Sequence, residues 1–471
     1  MKRRAVLMGL AATAAVPTIA ACSSDSGEKS GAQANAAELA ESSGHIAGAT
    51  AITEVFGNGQ RLTAVAVKYD TAIDRSSLSL SSFKVADRTV TNVYANTKAE
   101  KAGHGTDGAY VIIELSPWDE AAAVYTDSFS GGSSSSTPSG ESASASASPS
   151  GGTRSGPPKG GNLSSGSTLK DAVAAVTQSA ALKTTGGKTY AASGTAVKSS
   201  QVVNLVVDDF QQLSYTDSGT GNTLKYNLFV PKGYDRTRSY PMVLFMHDAG
   251  TVSSNPLITL TQGIGAVAWA DPSFQAENPC FVLAPQFTGD DEGSDGDETA
   301  LKTIKGLIDS VVGKYGIDEK RLYTTGQSGG CMTSIALNFT YPDLFAASFL
   351  VSGQWQDLDQ VKPLAKQKIW AVVSQGDENA YPGMTKIMDT LADEGAQISR
   401  AVWDGQLTPS EFAPLTAEMR AKNTPINFVA LKKGTVVWPG LEESSVDNHI
   451  CSWRAAYTIS GIMEWIFQQK K

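Results

Sequence analysis

From Ala51 to Tyr125 apolar and polar residues alternate in short runs. Residues 62–69, 88–94 and 110–115 each read as strands separated by Gly, Asn and Asp turns, and helical periodicity is absent from the region. A small β-sandwich is the expected fold. In the stretch that follows, Leu163 is the only large apolar residue between Gly131 and Thr168, and Ser, Gly, Ala and Pro make up most of the rest. Such a segment cannot bury enough surface to offset the entropy of ordering it, so a disordered insertion is expected over residues 130–168. Strand-like sequence resumes at 202–207 and would complete the same sandwich, giving one domain over residues 46–209.

Beyond about Phe210 the period changes. Strand-like runs at 225–230, 242–246, 281–284, 322–325, 347–351, 370–373 and 427–431 alternate with helical stretches at 299–315, 329–340 and 457–468. Strands alternating with helices over 210–471 predict an α/β domain built on a largely parallel sheet.

The N-terminus has a different pattern. Lys2, Arg3 and Arg4 precede an apolar run from Ala5 to Ala21, which ends in Ile19-Ala20-Ala21-Cys22. This is the layout of an export signal over residues 1–21, and the run is too short and Ala-rich for a membrane span. Ile-Ala-Ala-Cys resembles the bacterial lipobox, which makes Cys22 the expected lipidation site and mature N-terminus. The adjacent arginines are compatible with either general or twin-arginine export. Residues 22–45 are small and polar, as a flexible tether is. The body of the protein is therefore expected outside the membrane, which it touches only through the N-terminal lipid.

Composition narrows the function classes. In 471 residues there are 38 basic and 47 acidic side chains, a net charge of −9 and no basic block, which argues against nucleic acid as a partner. Four cysteines do not make a disulfide framework. Six acidic residues crowd Thr288–Thr299 (Asp290, Asp291, Glu292, Asp295, Asp297 and Glu298), but their spacing misses a calcium-binding loop and predicts a solvated one. There is no H-E-x-x-H and no paired C-x-x-C, and Gly186-Gly187-Lys188-Thr189 lacks the first glycine of a P-loop, with Leu182 in its place. No metal and no cofactor are expected.

One motif carries chemistry. Gly326-Gln327-Ser328-Gly329-Gly330 matches G-x-S-x-G, a weak match in a chain with 45 glycines. Its setting strengthens it: residues 321–325 are strand-like and 331–337 helix-like, and a strand–turn–helix is what a nucleophile elbow requires. Ser328 is then the expected nucleophile, with the Gly329 N–H at the helix start as an oxyanion donor. The base follows from the histidine count. His45 and His104 precede the α/β domain, His247 follows the 242–246 strand directly, and His449 lies between the last strand and the terminal helix. Chain order favours His449 as the base, on a loop, and leaves His247 as support for the oxyanion loop, where Asp248 and Ala249 supply further backbone donors. The acid should follow the 370–373 strand. Asp377 is favoured, Glu378 is the alternative, and Asp447 ranks third because it stands too close to His449 in sequence.

With these residues placed, 210–471 resembles secreted α/β-hydrolase esterases related to polyhydroxybutyrate depolymerases and feruloyl esterases. The resemblance rests on 227–234, 242–250, Ala284-Pro285-Gln286, 326–330, His449 with Ser452-Trp453 and 455–457, and 464–467. Residues 52–57 through 111–117 resemble the immunoglobulin-like domain that precedes the hydrolase in bacterial esterases of the EstA type. The resemblance implies an α/β-hydrolase fold behind an immunoglobulin-like sandwich and hydrolysis of a small-molecule or polymeric carboxylic ester by Ser328, His449 and Asp377. Two features depart from that pattern: His-Asp-Ala-Gly stands where His-Gly-Gly-Gly is usual, and the Ser-rich insertion has no counterpart. Some feruloyl esterases and tannases bridge the neighbours of Ser and His, which would here join Cys331 to Cys451; two buried free thiols are the alternative, and Cys280 is expected in the core. Trp355 and Trp438 are candidates either for an acyl or aromatic pocket or for plain packing. Two other readings of the chain stand beside the exported, lipid-anchored serine esterase: a cell-surface binding protein with an inactive hydrolase domain, and a serine peptidase on the same fold.

Overall fold

The computed structural model describes residues 44–126, 167–289, 293, 295–438 and 443–471. The export signal, Cys22 with the tether up to residue 43, most of the Ser-rich insertion, and Asp290, Asp291 and Glu292 lie outside them. The last two residues of the expected insertion lie inside: Ser167 is buried, and Thr168–Leu169 pairs with Tyr125–Thr126.

The alternating N-terminal pattern folds into two facing sheets. One has five strands in the order Gln201–Asn204, Ile46–Phe56, Gly59–Ile73, Gly108–Leu115, Val90–Asn96; the other has three, Val197–Lys198, Ala175–Gln178 and Phe83–Val85. Every second residue of the long strands (Val65, Val67, Tyr69; Val111, Ile113) meets Phe83, Val85 and Val176 in one core, as the two-residue period of a strand dictates. The chain after the insertion does rejoin this sheet, with Gln201–Asn204 running parallel to Ile46–Phe56. That strand is shorter than the 202–207 run, because Val206 turns to a positive φ of 68° and Val207–Asp209 forms a single 3-10 turn.

The α/β part is one nine-stranded sheet. Its strands are β1 Phe210–Thr216, β2 Thr223–Phe229, β3 Tyr240–Met246, β4 Phe281–Gln286, β5 Ile317–Gln327, β6 Ala347–Val351, β7 Ile369–Ser374, β8 Ile398–Trp403 and β9 Ile426–Leu431. They lie in the order β1-β2-β4-β3-β5-β6-β7-β9-β8. β2 is antiparallel to both of its neighbours, and β3 to β9 pair in parallel. Helices cover both faces. Met242, Leu244 and Met246 pack in one layer with α1 (Glu298–Lys314), α2 (Gly329–Thr340) and α3 (Ala380–Asp393). Val243 and Phe245 pack in the other with α4 (Pro409–Ala421), α5 (Ser445–Ala456) and α6 (Ile462–Phe467). Strands buried on both faces are nearly all apolar, which is why the central ones were legible. β1 (FQQLSYT) and β8 (ISRAVW) are edge strands with half-polar sequences, and neither was anticipated.

The C-terminal region differs from expectation. Helix begins at Ser445, where the Ser444 hydroxyl accepts the Asp447 N–H at 3.0 Å, so His449 stands on α5 and not on a loop. The expected 457–468 helix is shortened to Ile462–Phe467, because Gly461 takes φ 96° and breaks the chain direction. Among the described residues no helix is long and apolar enough to cross a membrane.

Candidate active site

The turn between β5 and α2 is built by close approach. A Cβ on Gly326 would lie 2.4 Å from the Gly330 carbonyl oxygen, and one on Gly330 would lie 2.1 Å from that of Met246. Only glycine at both positions lets the turn fold on itself and press against the end of β3. Ser328 between them is held at φ 52°, ψ −119°, a sparsely populated conformation that costs about 1–3 kcal/mol and projects its hydroxyl from the sheet. Gly329 is the first residue of α2, so its N–H has no acceptor within the helix.

Helix α5 and the turn after β7 bring two distant side chains to this hydroxyl. His449 Nε2 is 2.8 Å from Ser328 Oγ, across 121 residues of sequence. The other ring nitrogen, Nδ1, is hydrogen-bonded to Asp377 Oδ2. Asp377 is 2% exposed and sits in the turn after β7, where its Oδ1 accepts the N–H groups of Asn379 (3.1 Å) and Ala380 (2.9 Å). A carboxylate accepting at Nδ1 keeps the hydrogen there and leaves Nε2 free to accept from the serine. The edge of the Trp453 indole packs against the imidazole at 5.1 Å between ring centres. Glu378 is exposed and meets α5 only through its N–H, which donates to Ser445 Oγ. Asp447 accepts from the Ser444 hydroxyl at the start of its own helix. Neither alternative acid reaches the imidazole.

His247 and Asp248 close the other side. His247 is fully buried; its Nε2 accepts the Phe287 N–H at 3.0 Å, so Nδ1 carries the hydrogen and donates to the Asp248 carbonyl at 2.7 Å. Burial lowers its pKa to about 4, which keeps it neutral. Asp248 opens a short 3-10 turn, Ala249–Thr251. Its carboxylate accepts the N–H of Gly250 (3.0 Å) and Gln327 Nε2 (3.1 Å). Burial raises its pKa to about 6 despite those donors. The sandwich reaches the same turn: Tyr125 Oη is 3.0 Å from Ser167 Oγ, which donates to the Gly250 carbonyl at 3.2 Å. A narrow cleft runs along this seam between Tyr125, Asp248, Gln262, Trp453 and Arg454.

Cys331 and Cys451 are both buried and unbridged. Of the two alternatives left open, a bridge or two buried free thiols, the second is found: Cys331 packs with α2 on one face of the sheet and Cys451 with α5 on the other. Cys280 is in the core, its thiol pKa pushed up to about 12 by burial. Trp355 is buried against Phe339, with its indole N–H on Gln360, and Trp438 packs on Trp118. Among the described residues no group of acidic, His or Cys side chains is arranged to hold a metal.

Several supporting residues had no signature in the sequence. Asn448, Ser374 and Gln327 each tie the site together through a partner far along the chain. The Ser352 and Ser452 hydroxyls meet at 2.5 Å, and Ser452 Oγ donates to the His449 carbonyl at 2.6 Å. Of these, Gln327 alone could have been singled out, as the variable position of the G-x-S-x-G motif.

A nucleophile-like serine after the fifth strand, a carboxylate after the seventh and a histidine after the ninth, behind a two-sheet sandwich, define an α/β-hydrolase fold with an N-terminal immunoglobulin-like domain. Comparison with known proteins agrees: residues 48–191 match the esterase Ig-like N-terminal domain. The solved structure of a thermostable esterase is 25% identical, with a TM-score of 0.70 over 90% of this chain and 100% of that one. Acetylxylan esterase A of Aspergillus ficuum is 31% identical over 104 residues, 22% of this chain and 33% of its own. Feruloyl esterase B of Talaromyces stipitatus is 36% identical over 141 residues, 28% of this chain and 36% of its own. The chain thus spans about a third of the length of the curated relatives it matches.

Proposed function

We propose that this protein is a carboxylic ester hydrolase working through an acyl-enzyme on Ser328. The observation that carries the reading is the unbroken line of hydrogen bonds from Ser328 Oγ through His449 to the buried Asp377. As Ser328 attacks the ester carbonyl, His449 Nε2 takes its proton and passes it to the leaving alcohol, while Asp377 stabilises the imidazolium. Water then enters by the same route in reverse and releases the acid. The N–H groups of Gly329 and of the Asp248–Ala249 turn receive the oxyanion, and no step calls for a metal or cofactor. Likeness to a thermostable esterase along nine-tenths of the chain supports the ester class. The acetylxylan and feruloyl esterases among its relatives extend the candidate substrates from small esters to those on a polymer. The basic N-terminus, the apolar run and Cys22 support export and attachment to the outside of the membrane by lipid.

The test is hydrolysis of short p-nitrophenyl esters by a variant beginning at Ser23, beside its Ser328→Ala counterpart. Turnover that vanishes in Ser328→Ala is expected. Equal turnover in both overturns the reading, and no turnover together with no labelling of Ser328 by a fluorophosphonate overturns it in favour of a binding protein with an inactive hydrolase domain. Faster cleavage of a matching anilide would make it a peptidase.

A further inference from the structure

The loop after β3 carries a buried aspartate, and the partners of that side chain are informative. Asp248 is 1% exposed. It stands two residues past the end of β3, and Gln327 is the last residue of β5, directly before Ser328. The two strands are neighbours in the sheet, so the 3.1 Å hydrogen bond from Gln327 Nε2 to Asp248 Oδ2 crosses between the two turns that form the site. Gln327 Nε2 also donates to Gln262 Oε1 at 3.0 Å. Gln262 Nε2 is buried with no partner among the described residues.

Taking the ester-hydrolase reading as its premise, we propose that Gln327 and Asp248 are a positioning pair, whose amide-to-carboxylate hydrogen bond sets the oxyanion loop at its working distance from Ser328. The root of the loop is clamped by His247, which donates to the Asp248 carbonyl, and the carboxylate ties its turn to the elbow itself. A buried carboxylate cannot give up a donor cheaply, so the turn follows Gln327 wherever the elbow holds it. Oxyanion donors act over tenths of an ångström, and a misplacement of about 1 Å costs about 100-fold in rate. The pair acts through the loop backbone and touches no reacting atom.

Reversing the polarity tests the pair. Asp248→Asn keeps an acceptor for the Gly250 N–H and can be accommodated, because Gln327 and Gln262 turn their amides over: Gln327 Oε1 then accepts from the new amide and from Gln262 Nε2, which is unpaired in the wild type. Gln327→Glu sets two carboxylates face to face. The double variant D248N/Q327E restores one donor and one acceptor without changing net charge, and Gln262, turned over, offers its unpaired amide to the new glutamate. On p-nitrophenyl acetate Gln327→Glu is expected to lose about 10- to 100-fold in kcat with KM within about 3-fold, while Asp248→Asn and the double variant stay within about 3-fold of wild type. Gln327→Glu at wild-type kcat, a double variant no better than Gln327→Glu, or losses that merely track the folded fraction in thermal unfolding would overturn the pair. A wild-type protein that neither turns over the ester nor labels with fluorophosphonate condemns the ester-hydrolase reading, and the pair's role falls with it. Normal wild-type turnover with additive variants condemns the pair alone.

Discussion

The Ser374 hydroxyl donates to Asn448 Oδ1 at 2.9 Å, joining the strand that leads to Asp377 to the helix that carries His449. The same oxygen accepts the Gly434 N–H at 3.2 Å, and Asn448 Nδ2 donates to the Ser444 carbonyl. Gly376 makes room for this contact, since a Cβ there would lie 2.2 Å from the Asn448 side chain. One buried amide thus couples the turn that carries the acid to the helix that carries the base.

Removing that amide should loosen the base from its acid. Asn448→Ala strands two buried donors, at a cost of about 1–3 kcal/mol, and kcat on a p-nitrophenyl ester should fall about tenfold. Paired measurements of kcat and urea unfolding check it; wild-type kcat in a destabilised variant would refute the coupling.

The identity of the acid is open to direct test. Asp377→Asn should lower kcat by about 10⁴-fold, as loss of the orienting carboxylate does, whereas Glu378→Gln, altering an exposed side chain, should stay within about twofold of wild type. Steady-state kinetics of the two variants decides between them.

The elbow has no room for a side chain at the second glycine of its G-x-S-x-G motif. Gly330→Ala brings a methyl to 2.1 Å from the Met246 carbonyl oxygen. About 1–3 kcal/mol of overpacking is expected, with loss of fluorophosphonate labelling in the fraction that remains folded. Thermal unfolding and labelling on the same sample read both effects.

Acid should weaken the fold through His247. In the folded chain its pKa is lowered to about 4 from 6.5, so the unfolded chain takes up the proton first as pH falls. The stability this neutral histidine contributes is complete above its unfolded pKa of 6.5 and is lost as pH falls from there through the folded value of about 4. The stability gap between wild type and His247→Gln, from urea unfolding, should therefore be widest near neutral pH and narrow across that window. A gap independent of pH would show that His247 titrates normally.

Much of the architecture was legible along the chain because the signals are local. Two-residue alternation marks the sandwich, and apolar runs such as Met242–Met246 mark strands buried on both faces. The elbow was legible for the same reason: strand, glycines and helix all fall within residues 317–340. With the elbow placed, chain order and a count of four histidines were enough to nominate His449 and Asp377. The half-polar edge strands were missed because one side of each is unpaired and its composition is freed from the core. Placing His449 on a loop failed because α5 starts from a single capping serine, a weak signal in a Ser-rich chain.

By itself, then, the sequence determined the order of the elements, the residue that stands on the strained turn and the types of side chain available to serve it. Only the tertiary structure decided which carboxylate meets the imidazole, why Cys331 and Cys451 stay apart, and where the Asp248 carboxylate turns. Each of those depends on which face of the sheet a side chain leaves and which loop crosses it there. That geometry comes from packing between segments 74 to 121 residues apart, about which local periodicity carries no information.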